Sequence, residues 1–238
     1  MSGAITVADC ERAQTSWCVA AARLLGETWS EGGLTWARSP GHADLLFPIE
    51  IDPDALSAGL RRARRPGEIV GAWLSLDVDA APLAAAGFER GWSPWWMTAQ
   101  IADVGETDDP RVTLQEETSD YTGEHAGYAR MLGLTRDRPK HTWYAAAYAE
   151  PGRRFAGRAW SHDAGGGVAG VFDMVVRPRF QRQGLGTALL KTVCAAARSA
   201  GAEHAVLNAT PDGKRLYDTC GFHQIGEGIT WWLQPDRP

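Results

Sequence analysis

The chain has 238 residues, 44% of them hydrophobic, and a net charge of −5. That length accommodates one large or two small domains with a packed core. It holds no run of about 18 apolar residues, so no membrane-spanning helix is expected, and its acidic balance argues against nucleic acid as a main partner.

The N-terminus lacks a basic stretch followed by an apolar one, and the polar run Asp9-Cys10-Glu11-Arg12 comes early. Secretion is therefore not expected, and a cytoplasmic location is. Cys10, Cys18, Cys194 and Cys220 have no metal-ligand spacing; they read as buried thiols of a reducing compartment, with no metal site. The eleven tryptophans are expected in the core or around an apolar pocket.

In chain order, Asp9 to Glu27 reads as a helix with Trp17, Ala20, Ala21, Leu24 and Leu25 on its apolar side. Gly32-Gly33 breaks it. Strands are expected at Leu34–Ala37 and Leu45–Ile51. Asp52-Pro53-Asp54 caps a helix from Ala55 to Arg64. The arginines at 61, 62, 64 and 65 suit a solvated helix end better than an anion site. A strand at Glu68–Leu76 and a short helix at Pro82–Ala86 follow. Phe88–Ile101 reads as a strand pair or one bent strand. Asp103–Pro110, acidic and polar, has the composition of a linker.

The second half starts with a strand at Arg111–Gln115. Thr118 or Ser119 caps a helix through Tyr121, His125, Tyr128 and Met131. His141–Tyr148 and Phe155–Ser161 form a hairpin turned at Pro151-Gly152. Val171 to Val176 is a buried strand, followed by a turn at Pro178. A helix then runs through Ala188, Leu189, Leu190, Val193, Cys194 and Ala197, and stops at Gly201. His204–Asn208 is a strand, Thr210-Pro211-Asp212 opens a helix through Leu216 and Tyr217, and Phe222–Leu233 completes the sheet.

Between that buried strand and its helix stands Gln181-Arg182-Gln183-Gly184-Leu185-Gly186-Thr187. A helix start has unpartnered N–H groups and a dipole that favours negative charge. Glycines there let a backbone approach a pyrophosphate, and Arg179 and Arg182 add positive charge. A dinucleotide fingerprint or a nucleoside-triphosphate loop would need other spacings, and neither is present.

The strand ending Val176-Arg177-Pro178 and the Gln-x-x-Gly-x-Gly that follows resemble the acetyl-CoA signature of the GNAT acyltransferases. Leu216-Tyr217-Asp218-Thr219-Cys220-Gly221-Phe222 resembles that family's Leu-Tyr-x-x-x-Gly-Phe element. The resemblance implies an α/β mixed-sheet acyl-CoA N-acyltransferase fold. It implies an N-acetyltransferase that moves an acetyl group from acetyl-CoA to a primary amine by direct attack in a ternary complex. Met174, Val175 and Val176 would offer backbone groups to the pantetheine and thioester. Gln181, Arg182, Gln183, Gly184, Leu185, Gly186 and Thr187 would hold the pyrophosphate. Thr210 stands where relatives carry a CoA-contacting asparagine.

Tyr217 would protonate the departing thiolate. Asp173, an acid among Val-Phe-Met-Val-Val, could deprotonate the amine, directly or through water, hold an ammonium group, or form a structural pair with an arginine. His125, His141, His162 and His223 are weaker candidate bases. Trp143 and Trp160 are candidates for the acceptor pocket.

Leu83-Ala84-Ala85-Ala86-Gly87-Phe88 parallels Leu216–Phe222, and Trp95-Trp96-Met97 parallels Trp231-Trp232-Leu233. This repeat points to two tandem units. Residues 1–105 would form a degenerate GNAT-like domain, with Asp52-Pro53-Asp54 where the glycine loop should be. Residues 106–238 would form the catalytic domain. The acceptor would be a small-molecule or peptide amine, with no nucleic acid or membrane partner, and the chain a monomer or homodimer. A non-catalytic acyl-CoA or small-ligand sensor is the alternative, and a purely covering role for the first unit a third.

Overall fold

The computed structural model describes residues 3–116, 130–151 and 153–235. Helix α1 (Val7–Leu25) is followed by β1 (Glu27–Glu31), β2 (Leu34–Ser39) and β3 (His42–Leu46). Then come α2 (Pro53–Ala63), β4 (Ile69–Leu74), α3 (Ala81–Ala85), β5 (Glu89–Arg90), β6 (Trp95–Gln100) and β7 (Val112–Gln115). The remaining strands and helices are β8 (Thr142–Glu150), β9 (Arg153–Asp163), β10 (Val168–Val176), α4 (Leu185–Ser199), β11 (His204–Ala209), α5 (Pro211–Asp218), β12 (His223–Glu227) and β13 (Ile229–Leu233). The helix expected from Thr118 through His125 lies outside the described residues, apart from its end.

Local chemistry explains most of these elements. Asp52 Oδ1 accepts a hydrogen bond from the Ala55 N–H at 2.8 Å, and Pro53 opens α2, as capping rules require. Gly32 and Gly33 have φ of 53° and 85°; they form the two-residue turn of the β1–β2 hairpin, which requires positive φ at both positions. They do not end α1, which stops at Leu25. The first strand of that hairpin was not expected, because Trp29 is its one buried side chain. β3 ends at Leu46, five residues before the expected Ile51, where Phe47 turns to φ 39° and Pro48 has no N–H to extend a ladder.

The chain forms two compact units. One comprises the chain up to Trp17 together with Trp95–Gly226, and the other Cys18–Pro94 with the residues from Glu227 onward. This corrects the boundary expected at 105/106. Val104 is buried in the same core as Ile101, Leu189 and Phe222, so 103–110 is a loop of the first unit. The strand pair expected at Phe88–Ile101 divides between sheets, as does the final segment. β6 joins the sheet ordered β12-β6-β11-β10-β9-β8-β7, whereas β13 joins β1-β2-β3-β4-β13-β5.

In the first unit α4 covers a core that includes Leu185, Leu189, Leu190, Val193 and Trp143. Trp17 stacks on Phe172 at 5.0 Å and leans on Trp160 at 5.6 Å, a cluster worth about 0.5–1.5 kcal/mol per pair beyond its buried area. In the second unit Trp29 stacks on Trp36, and Gly59 of α2 has no side chain because a Cβ would lie 2.6 Å from the Trp36 indole nitrogen. Of the four arginines at the end of α2, Arg62 and Arg65 both donate to Glu27, which fits the solvated helix end over an anion site.

Beside the Trp17 cluster, His162 is buried, with Nδ1 2.8 Å from the Thr142 hydroxyl and Nε2 2.9 Å from the Ser16 hydroxyl. Burial pushes it down to about 4, against partial compensation from Asp163. Unfolding restores an ordinary value near 6.5, so between these values the unfolded chain binds the extra proton. The contribution is whole above pH 6.5 and is lost as pH falls towards 4, by about 3 kcal/mol at that end. Urea unfolding at pH 7.5 and pH 4 should show a smaller loss in His162→Gln than in wild type. An equal loss in both would refute this assignment.

Candidate active site

The site follows from a break in sheet pairing. β10 and β11 run parallel in register from Val168/His204 to Val171/Leu207, and their pairing stops there. β11 continues to Ala209 against β6. On its other side β10 is paired with β9, with an irregularity between Phe172 and Val175. Asp173 sits in that bulge with φ 45°, a conformation costly for a residue with a Cβ. A β-bulge bends its strand and increases its twist, so β10 leaves β11 and a wedge opens between them.

An open cavity of about 1130 Å³ occupies this wedge. Met174, Val175 and Val176 line one side; Asn208, Thr210 and Tyr217 line another. At its mouth lie Gln181, Arg182 and Gly184–Thr187, opening α4. Gly184, the N-cap, has φ 81°, and no side chain caps the helix. An ideal Cβ at Gly184 would meet nothing within 4 Å. Glycine is therefore demanded by conformation here, and the space beside it is open. The N–H groups of Leu185, Gly186 and Thr187 lack intrahelical acceptors by position, and the dipole adds a partial positive charge. This arrangement fits a phosphate group.

Gly186 has a packing reason beside the one expected. A Cβ there would lie 2.6 Å from Leu216 Cδ1, so its smallness lets α4 pack against α5. Gln183 does not line the cavity; its carbonyl accepts a hydrogen bond from Arg111 at 3.1 Å. Thr210 caps α5 through a 3.3 Å bond from the Gly213 N–H. Arg179 rests over the Phe180 ring and is not part of the lining, whereas Arg215 is.

Tyr217 is 8% exposed, and burial pushes its phenol up to about 12. It keeps its proton throughout the neutral range and can donate it. Asp173 lines the cavity, but both its oxygens accept from Arg158, at 2.8 and 2.9 Å. Of the roles open to it, the structure shows the arginine pair. His141, His162 and His223 are not among the lining residues, and His125 lies outside the described residues. Trp143 and Trp160 are buried in the core and do not line the cavity. Gln14 and Trp17 of α1 do, and Gln14 accepts a 2.8 Å bond from the Asn208 amide. Sequence reasoning missed both, because α1 was assigned to the other unit.

The second unit also has a parallel strand pair, but without a wedge. Its parallel pair β3–β4 stays in register from His42/Ile69 to Leu46/Trp73, and the Phe47 N–H donates to Trp73 O at 2.9 Å beyond it. Its α2 is capped by Asp52. The turn after α3 is closed by Phe88 N–H to Leu83 O, as the turn after α5 is closed by Phe222 N–H to Tyr217 O. Leu83 thus accepts in the one turn the bond that Tyr217 accepts in the other, and it carries no phenol.

A family model described as the acetyltransferase (GNAT) family matches residues 87–222, more than half of the chain. A search of the curated proteins finds no match. Among solved structures, a GCN5-related N-acetyltransferase from Kribbella flavida is similar, with 15% identity, 98% of each chain covered and a TM-score of 0.62. A GNAT-family acetyltransferase structure from Novosphingobium aromaticivorans gives 16% identity, 97% of each chain and a TM-score of 0.62. A tandem GNAT protein from the clavulanic acid biosynthesis pathway gives 14% identity, 86% of this chain, 79% of its own and a TM-score of 0.57. The matched segment runs from the Gly87-Phe88 step to Phe222 and contains both the wedge and the glycine loop, and the chain belongs to the GNAT acetyltransferase family.

Proposed function

We propose that this chain is an N-acetyltransferase that moves an acetyl group from acetyl-CoA to a primary amine by direct attack in a ternary complex. The observation that carries this reading is the parting of β10 from β11 directly above an uncapped, glycine-started helix. A pantetheine arm fits between separated strands, and a pyrophosphate fits the N-terminus of α4 with Arg182 beside it. Backbone N–H groups of the Met174–Val176 edge would polarise the thioester carbonyl. Binding both reactants in one wedge supplies proximity, the largest gain available to such a transfer. Tyr217 would hand its proton to the thiolate and regain one through water from the attacking amine, which sheds it on forming the amide. The burial that holds the phenol proton also raises the proton affinity of a thiolate leaving into the same cleft, so the transfer is not blocked.

Asp173 enters this reading as a positioning residue. Acting as the amine's base would require it to leave the Arg158 guanidinium; held there, it fixes the bulge that opens the wedge. The acceptor reaches the end lined by Gln14, Trp17 and Asn208, and a small-molecule or peptide amine fits there. We read residues 18–94 with β13 as a degenerate tandem counterpart. The sheets share one strand plan, and the closed β3–β4 pair, the Asp52 cap and Leu83 support the absence of a second CoA site.

The test is release of free CoA from acetyl-CoA on addition of a panel of primary amines. Amine-dependent release supports transfer. Tight acetyl-CoA binding without release for any amine would favour the sensor alternative.

A further inference from the structure

The pyrophosphate loop is tied to a residue far from it in sequence. Arg111 Nη2 donates to the Gln183 carbonyl at 3.1 Å. The same guanidinium is aimed by Asp109, which accepts from Arg111 Nε at 2.9 Å, Nη2 at 2.6 Å and the main-chain N–H at 3.0 Å. The platform is itself anchored, since the Arg111 carbonyl accepts from the Tyr148 N–H on β8 at 2.8 Å.

A trans peptide points its C=O and the next N–H in opposite directions. A hand on the Gln183 carbonyl therefore sets the direction of the Gly184 N–H. Gly184 lines the cavity and Gln183 does not. Without such a hold, this peptide is free to flip, because glycine at φ 81° tolerates the reversed conformation almost equally well.

We infer that Arg111 is a positioning residue for the phosphate loop: by holding the Gln183 carbonyl away from the cavity it turns the Gly184 N–H into it, adding a donor to the first turn of α4. This rests on the reading of the wedge as an acetyl-CoA site. Asp109 acts one step behind, by fixing the guanidinium.

The experiment compares acetyl-CoA with S-acetyl-pantetheine, which has the same thioester arm and no pyrophosphate, using tryptophan fluorescence to follow binding. Arg111→Met should weaken acetyl-CoA about tenfold and leave S-acetyl-pantetheine unchanged. Arg111→Lys, which keeps a donor, should recover part of the loss, and Asp109→Asn should lose less than Arg111→Met. In protein labelled with ¹⁵N-glycine, the Gly184 amide resonance should shift on adding acetyl-CoA in wild type and respond weakly in Arg111→Met. Unchanged acetyl-CoA affinity in Arg111→Met, or equal loss for both ligands, would overturn the inference. A wild type that binds no acetyl-CoA would instead overturn the acetyltransferase reading, and this inference with it.

Discussion

Thr187→Glu should abolish acetyl-CoA binding, weakening it at least a hundredfold, while making the fold slightly more stable. Thr187 is the third residue of α4 and lines the cavity. A carboxylate there meets the incoming pyrophosphate, and like charges a few ångströms apart near a surface repel by about 1–4 kcal/mol per pair. The same carboxylate is favourable to the helix, because an acid in the first turn complements the dipole by about 0.3–1 kcal/mol. Affinity and stability should thus move in opposite directions. Gly184→Glu should also remove binding, but at φ 81° a side chain is strained by about 1 kcal/mol or more, so that protein should melt earlier. Calorimetric titration and thermal melts of both variants check this. Thr187→Glu protein that still binds acetyl-CoA within threefold of wild type would refute the assignment of the loop.

Tyr217→Phe should lower kcat about a hundredfold with KM for acetyl-CoA within about threefold, in the range of a lost general acid. The substitution removes one hydroxyl from a ring packed against Phe222 at 6.0 Å, so packing is retained. A pH profile sharpens the test. Burial pushes the phenol up to about 12, so the wild-type rate should show no loss near pH 10, where an ordinary tyrosine ionises. A kcat equal to wild type would reduce Tyr217 to a packing residue. A fall in rate through pH 10 that Tyr217→Phe eliminates would contradict the buried environment described for it.

The parts of the site that were legible in the sequence are those carried by local spacing. Strand, Pro178, glycine loop and helix follow one another within about thirty residues, and each depends on its neighbours in the chain. The Asp52 cap was legible for the same reason, as was the short helix that ends before Phe222. What stayed hidden depends on distant partners. Asp173 announced itself as an acid in an apolar strand, but its arginine is fifteen residues away on β9. Nothing local says that Trp17 stacks on Phe172, or that Gln14 meets Asn208. The likeness of Trp95-Trp96-Met97 to Trp231-Trp232-Leu233 marked two strands without showing which sheet each joins. Their placement displaced the expected boundary. Gly186 shows a motif residue with a reason its motif did not suggest: it makes room for Leu216.

Titration of acetyl-CoA into the wild-type chain tests the central claim most directly. The wedge of the first unit and the closed β3–β4 pair of the second predict one acetyl-CoA per chain, lost in Thr187→Glu. Two per chain would show that the second unit binds the cofactor despite Asp52 and Leu83. None, by folded protein, would contradict the acetyltransferase reading.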